Sequence, residues 1–278
     1  MVACCLAAMA VALVGVVTLA GGGTGTVSQI LTGQGSVKSA WLSMTESGVT
    51  LSGPCDYLSS TGRFEVTGTY QGAEYVHGGL SWVSAAIFWQ ERQRSFAGGG
   101  LSVPRPVKPW IANPPASSQG GAIGDVLFGL PVQATPVELT DALQRQVTST
   151  SSMGFDHVAG AEAHEYRLVL ALDGLADVVA KAAGSIEVLG KRHPVFIWVD
   201  SHNRLVKLST SIGFNNPARS LTVSLTYSRF NQNAAINLPS AGSVETFRQY
   251  QEQLSRAWGC PTSGGPCKSV RRTTTGTG

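Results

Sequence analysis

The run from Pro194 to Pro239 constrains the fold of this chain more than any other stretch. Leu221, Val223, Leu225 and Tyr227 alternate with Thr222, Ser224, Thr226 and Ser228, and Val206, Leu208 and Ile212 alternate with Lys207, Ser209 and Ser211. A period of two places one set of side chains on an apolar interior and the other towards water, which is the signature of a half-buried strand. Asp200-Ser201-His202-Asn203 and Asn215-Asn216-Pro217 supply polar hairpin links between the strands. Successive strands joined by short links pair antiparallel, so the stretch is a meander. A sheet with one apolar face must cover it with helices, a second sheet or a bound apolar molecule. The strand from Val195 to Val199 is apolar on both faces, because Phe196 and Trp198 alternate with Val195, Ile197 and Val199. That strand is expected to be covered on both sides.

Upstream, the same logic gives strands at Trp41–Met44, Val49–Tyr57, Arg63–Tyr70, Glu74–Val76 and Leu80–Val83, with His77-Gly78-Gly79 as a hairpin. Phe155–Ala171 reads as one further strand. Short helices are expected at Ala122–Leu130, Val137–Val147 and Leu175–Ala183, and an amphipathic helix at Val244–Trp258. Ala85 to Gly121 keeps no period and reads as a long excursion carrying Phe88, Trp89 and Phe96.

Charged residues make up 13% of the 278 and the net charge is +3, with no stripe of Lys and Arg, which argues against a nucleic-acid partner. The apolar, uncharged run Val2–Ala20 followed by Gly21-Gly22-Gly23 reads as a secretory leader or an N-terminal anchor. Leu19-Ala20-Gly21-Gly22 has the form of a bacterial lipobox with Gly where the lipidated Cys would stand. The chain therefore divides into a leader or anchor at 1–25, a domain at 26–258 and a disordered Gly/Thr/Ser/Pro tail at 259–278. Outside the leader stand Cys55, Cys260 and Cys267. Cys260 and Cys267 flank a flexible Pro-Thr-Ser-Gly-Gly-Pro loop and are the disulfide candidate, leaving Cys55 as a buried small apolar residue.

Catalytic signatures are sparse. Gly-x-Ser-x-Gly, His-Glu-x-x-His and phosphate-binding glycine patterns are missing, and Asp173, Asp177 and Glu187 lack metal-ligand spacing. The five histidines read as solvated polar positions. No cofactor, no metal and no catalytic residue is expected, and an envelope hydrolase is the least favoured reading.

The segments Val158–Leu175, His193–Leu208 and Ser220–Val244, with weaker echoes in Gly53–Val66 and Lys108–Ile111, resemble the actinobacterial LppX/LprA/LprF/LprG lipoproteins of the wider LolA-like group. The resemblance implies an α+β fold, a single curved antiparallel β-sheet forming a half-barrel, with helices packed on the concave side. It implies an exported, membrane-associated or secreted protein of the cell envelope that carries lipids or glycolipids. On that basis Trp82, Tyr166, Trp198, Val223, Leu225 and Tyr227 are the candidate cavity lining, and the protein is expected to be a monomer. The alternative is an envelope-sensing module that docks a protein partner on the same fold without bound lipid.

Overall fold

The computed structural model describes residues 26–46, 48–78, 80–96, 103–113, 136–171, 192–213, 220–233 and 235–259. In chain order the elements are α1 (Thr26–Ile30), a 3-10 turn (Thr32–Ser36), β1 (Ser39–Glu46), β2 (Val49–Asp56), β3 (Thr61–Gly68), β4 (Gly72–His77), β5 (Leu80–Ser84), α2 (Ala85–Phe96), β6 (Trp110–Asn113), α3 (Pro136–Gln146), β7 (Val147–Val158), β8 (Ala161–Ala171), β9 (Arg192–Val199), β10 (Leu205–Gly213), β11 (Ser220–Ser228), β12 (Val244–Thr246) and α4 (Phe247–Ala257).

All twelve strands form one open sheet in the order β12-β6-β5-β4-β3-β2-β1-β11-β10-β9-β8-β7. Every pairing is antiparallel except that of β12 with β6. This is the α+β half-barrel architecture expected from the sequence. The meander β9–β10–β11 stands where the alternation placed it, and β1 zips it to the N-terminal run of hairpins. Close approach demands glycine at position 53: a Cβ on Gly53 would lie 1.8 Å from the Arg63 carbonyl oxygen, where the β2–β3 ladder is interrupted.

The helices share the core with one face of the sheet. Val27 and Leu31 near α1, Phe88 of α2, Leu139 and Leu143 of α3, and Tyr250 of α4 join Leu42, Leu51, Phe64, Val83, Ile111, Leu168 and Ile197 in a single apolar cluster. α2 packs against β4, β5 and β6, and α4 against β6 and β12; α1 and α3 pack at the other end, against β7 and β8.

Three expectations are corrected. The span 85–121 is not a featureless excursion: it begins with α2 and contains β6. The helical period is hidden because Gln90 to Arg94 puts five polar residues in a row. The second turn instead meets the core through cation–π contacts of the Arg92 guanidinium, 5.2 Å from the Phe88 ring centroid and 5.4 Å from that of Phe247. The strand expected at Phe155–Ala171 is a hairpin, turning at Ala159 and Gly160 with φ of +51° and +83°. Both faces of the Ser/Thr-rich β7 are largely exposed, so no buried face imposes alternation on it. The C-terminal helix begins three residues late. Val244–Thr246 is strand β12, and the Thr246 hydroxyl with the Gln249 side chain forms a capping box for α4.

The expected helices at Ala122–Leu130 and Leu175–Ala183, the Asn215–Pro217 link, the leader at 1–25 and the Cys260–Cys267 pair lie outside the described residues. Among the described residues no helix is long and apolar enough to cross a membrane.

Candidate functional site: the inner face of the sheet

Strand register defines the inner face. Tyr166 stands opposite Ile197, Ile197 opposite Leu208, Leu208 opposite Leu225, Leu225 opposite Met44, Met44 opposite Leu51, and Leu51 opposite Val66. This is an unbroken apolar row across seven strands. Tyr227 pairs with Leu42 on the same face. Most of the row is buried, while Tyr166 and Leu225 remain partly exposed.

Of the six candidate lining residues, Tyr166, Leu225 and Tyr227 therefore share one face. The backbone of Val223 lies in β11, two residues before Leu225, and its side chain is outside the described residues. Trp82 and Trp198 belong to the opposite, outer face. Trp82 is registered with Tyr75, whose ring meets Trp110 edge-on at 5.0 Å. Trp198 is registered with Lys207 and packs with Val158, Ala163 and Val206 in a separate small cluster. Its indole N–H donates to Asp156 Oδ2 at 3.1 Å, and Lys207 Nζ sits 4.0 Å from its ring centroid. The bulge between Leu205 and Lys207 turns both Val206 and Lys207 outward, which gives the Trp198 ring its cover. The expectation that this strand is covered on both sides holds: Val195, Ile197 and Val199 enter the main core, and Trp198 the outer cluster.

Polar groups punctuate the inner face at its two ends. In β4, Glu74 lies between Phe64 and Val83 and is fully buried. Glu245 is registered with Ile111; its Oε2 accepts the N–H of Val107 at 3.0 Å and of Lys108 at 3.4 Å, and Gln253 Nε2 donates to its Oε1. Tyr250 donates its hydroxyl to the Pro104 carbonyl at 3.0 Å. These groups fix the 103–109 segment to α4. Glu74 is in phase with the apolar Val76, whereas Glu245, in a three-residue strand, has no alternating partner. Phase alone marks Glu74 as inward-facing, and nothing in the sequence marks Glu245.

At the β7–β8 end, Ser152 Oγ lies 2.7 Å from His164 Nε2, and the Tyr166 hydroxyl 3.2 Å from His164 Nδ1. The His164 ring stacks on Tyr166 and tilts against the exposed Phe155. The chain Ser–His–Tyr has the contacts of a dyad but lacks its electrostatics. A general-base histidine is oriented by a carboxylate on Nδ1 that stabilises the imidazolium, and here the Tyr166 hydroxyl occupies that place. Asp156, the neighbouring carboxylate, is turned to the outer face by its bond to Trp198. No local pattern marks this cluster, because the turn that brings its strands together has Ala159 at a positive φ where glycine is usual.

Cys55, Tyr57 and Tyr227 form a third polar group in the core. Cys55 is a free thiol with no exposed surface. Burial pushes its pKa well above the ordinary thiol range, and raises those of Tyr57 and Tyr227 as well. All three are neutral at physiological pH, and Cys55 is inert rather than nucleophilic. Among the described residues no group of His, Cys, Asp and Glu is arranged to hold a metal ion.

No family model matches the chain, and no curated protein does. Similar solved structures exist. The lipoprotein LppX of Mycobacterium tuberculosis is 15% identical, with 76% of this chain and 96% of that one covered and a TM-score of 0.45. LprF of Mycobacterium bovis is 15% identical, covering 80% of this chain and 100% of that one at a TM-score of 0.42. The MucA/MucB complex of Pseudomonas aeruginosa gives 10% identity, 78% and 59% coverage and a TM-score of 0.34. The chain is thus similar, at low identity and over most of its length, to mycobacterial lipoproteins of the group that its strand segments resemble.

Proposed function

We propose that this protein is a non-catalytic carrier of the cell envelope that shelters the acyl chains of a lipid or glycolipid against the inner face of its sheet. The reading rests on one observation: the apolar row from Tyr166 to Val66 crosses seven strands, and Tyr166 and Leu225 within it keep accessible surface. A one-faced sheet with accessible apolar side chains offers an acyl chain a wall without requiring a reactive group. Sequestering a few hundred Å² of hydrocarbon at about 25 cal/mol per Å² stabilises a complex by several kcal/mol. Tyr166, Leu225 and Tyr227 are the lining residues of this reading, with Val223 beside them.

Native mass spectrometry of protein purified without detergent tests it. Co-purifying lipid mass, displaced by a fluorescent acyl probe, is the expected result. A clean apoprotein that takes up no acyl probe overturns the reading, and a stable protein partner on that apoprotein would favour the sensing module instead.

A further inference from the structure

One margin of the inner face holds polar side chains that the protein leaves without partners. The 3-10 turn Thr32–Ser36 folds over it: Gly33 donates its N–H to the Asn203 carbonyl, and Val37 donates to the Gln34 carbonyl. Tyr57 is tied to the same margin, donating its N–H to the Lys38 carbonyl at 2.9 Å. The Gln34 side chain is 3% exposed, and neither its Oε1 nor its Nε2 has a hydrogen-bond partner. Tyr57 is 6% exposed, and its hydroxyl is equally unpartnered. Buried polar groups are paired almost without exception, so an amide and a phenol left bare at one margin call for an occupant.

We propose that Tyr57 and Gln34 bind an uncharged hydrogen-bonding group of the lipid, an ester carbonyl or a hydroxyl. This rests on the carrier reading above and specifies which lipids it admits. The amide offers two donors and an acceptor, and the phenol one of each. Neither carries charge, and Cys55 and Tyr227, which lie near Tyr57, are neutral as well, since burial disfavours ionisation of both. The cation beside the turn, Arg204, whose Cγ stands 3.0 Å from where a Cβ on Gly33 would lie, is already paired with Asp200 at 2.7 Å, so a phosphate or carboxylate placed here would lose its hydration without gaining a free cation. A glycerol or sugar hydroxyl, or an acyl ester, would gain the missing bonds at little desolvation cost.

The test uses the full chain loaded with diphenylhexatriene, a pure hydrocarbon probe. Its displacement by monopalmitoylglycerol is compared with displacement by palmitoyl lysophosphatidic acid, which carries the same acyl chain with a phosphate. The wild type is expected to favour the neutral lipid. Tyr57→Phe and Gln34→Met are each expected to cut that preference about tenfold, the effect of one hydrogen bond to a buried group. Both variants are also expected to melt higher than wild type without lipid, because each removes an unpaired buried polar group. An unchanged preference in both variants, or a wild type that favours the phosphate lipid, overturns the assignment. A lower melting temperature with unchanged preference would identify a structural water as the occupant and overturn it too. If the wild type takes up neither probe nor lipid, the carrier reading itself falls; uptake without preference sinks this assignment alone.

Discussion

Leu225 of β11 lies directly opposite Met44 of β1, and this pair sits on the seam that joins the N-terminal hairpins to the C-terminal meander. Leu208 flanks Leu225 on its other side. Leu225→Asp places an unpaired charge in that row and is expected to cost several kcal/mol, by loss of stability, of lipid uptake or of both. Thr222→Asp, on the outer side of the same strand, is expected to change stability by no more than about 0.5 kcal/mol. Thermal melts and acyl-probe titrations of the two variants check the register. Equal effects would mean that the faces are exchanged.

Trp198 supplies the complementary experiment. Trp198→Phe removes the donor to Asp156 and weakens the Lys207 contact, for an expected loss of about 1–2 kcal/mol in urea unfolding. Because the ring lies on the outer face, acyl-probe affinity is expected to match wild type. A lost affinity would place Trp198 in the binding wall after all.

The fate of the two tryptophans shows what a linear sequence discloses. In β11 and most of β10, polar residues alternate with aliphatic ones, so the inward phase is legible. In β9 both phases are apolar, and in β5 Trp82 alternates with buried Ser81 and Val83. The larger side chains invited an inward assignment there, whereas the smaller ones enter the core. The β7–β8 hairpin was unreadable for another reason: Ala159 adopts positive φ without being glycine, so one of the two usual turn signals was missing. The Ser152–His164 contact follows from the register of that hairpin, and the Glu245–Gln253 contact from the strand-to-helix junction at Thr246, neither of which the linear pattern marks.

Glu245 anchors three elements at one carboxylate. Glu245→Gln retains the shape but turns charge-assisted hydrogen bonds from Val107 and Lys108 into neutral ones, and sets an amide N–H₂ against one donor. An expected destabilisation of about 1–3 kcal/mol follows. Limited proteolysis is expected to find the 103–109 segment cleaved faster in this variant.

Glu91 of α2 gives a pH dependence. Burial raises its pKa above the ordinary 4.5, with Arg92 opposing the shift. The folded state thus holds the proton more tightly than the unfolded chain, so ionised Glu91 opposes folding. That penalty is complete above the raised folded-state value and fades as pH falls to 4.5 and below. Glu91→Gln is expected to melt higher than wild type at pH 7, with the difference shrinking towards pH 4. A difference that is constant across this range would contradict the assignment.

Cys55 is expected to resist maleimide at pH 8 in the native protein and to react fully in denaturant, as read by peptide mapping at that residue. Burial with a raised pKa leaves neither access nor thiolate. Native labelling would indicate that the margin around Tyr57 opens readily.

The seam at β1 also governs when the molecule can be completed. Leu42 must wait for Tyr227, and Met44 for Leu225, both supplied by one of the last strands to be synthesised. Until the ribosome has delivered β11, the nascent chain displays one unpaired ladder beside an oily stripe, which is the kind of surface that holding chaperones recognise. Closing so distant a contact is slow, so the sheet stays in two unjoined halves until the C-terminal meander is in place.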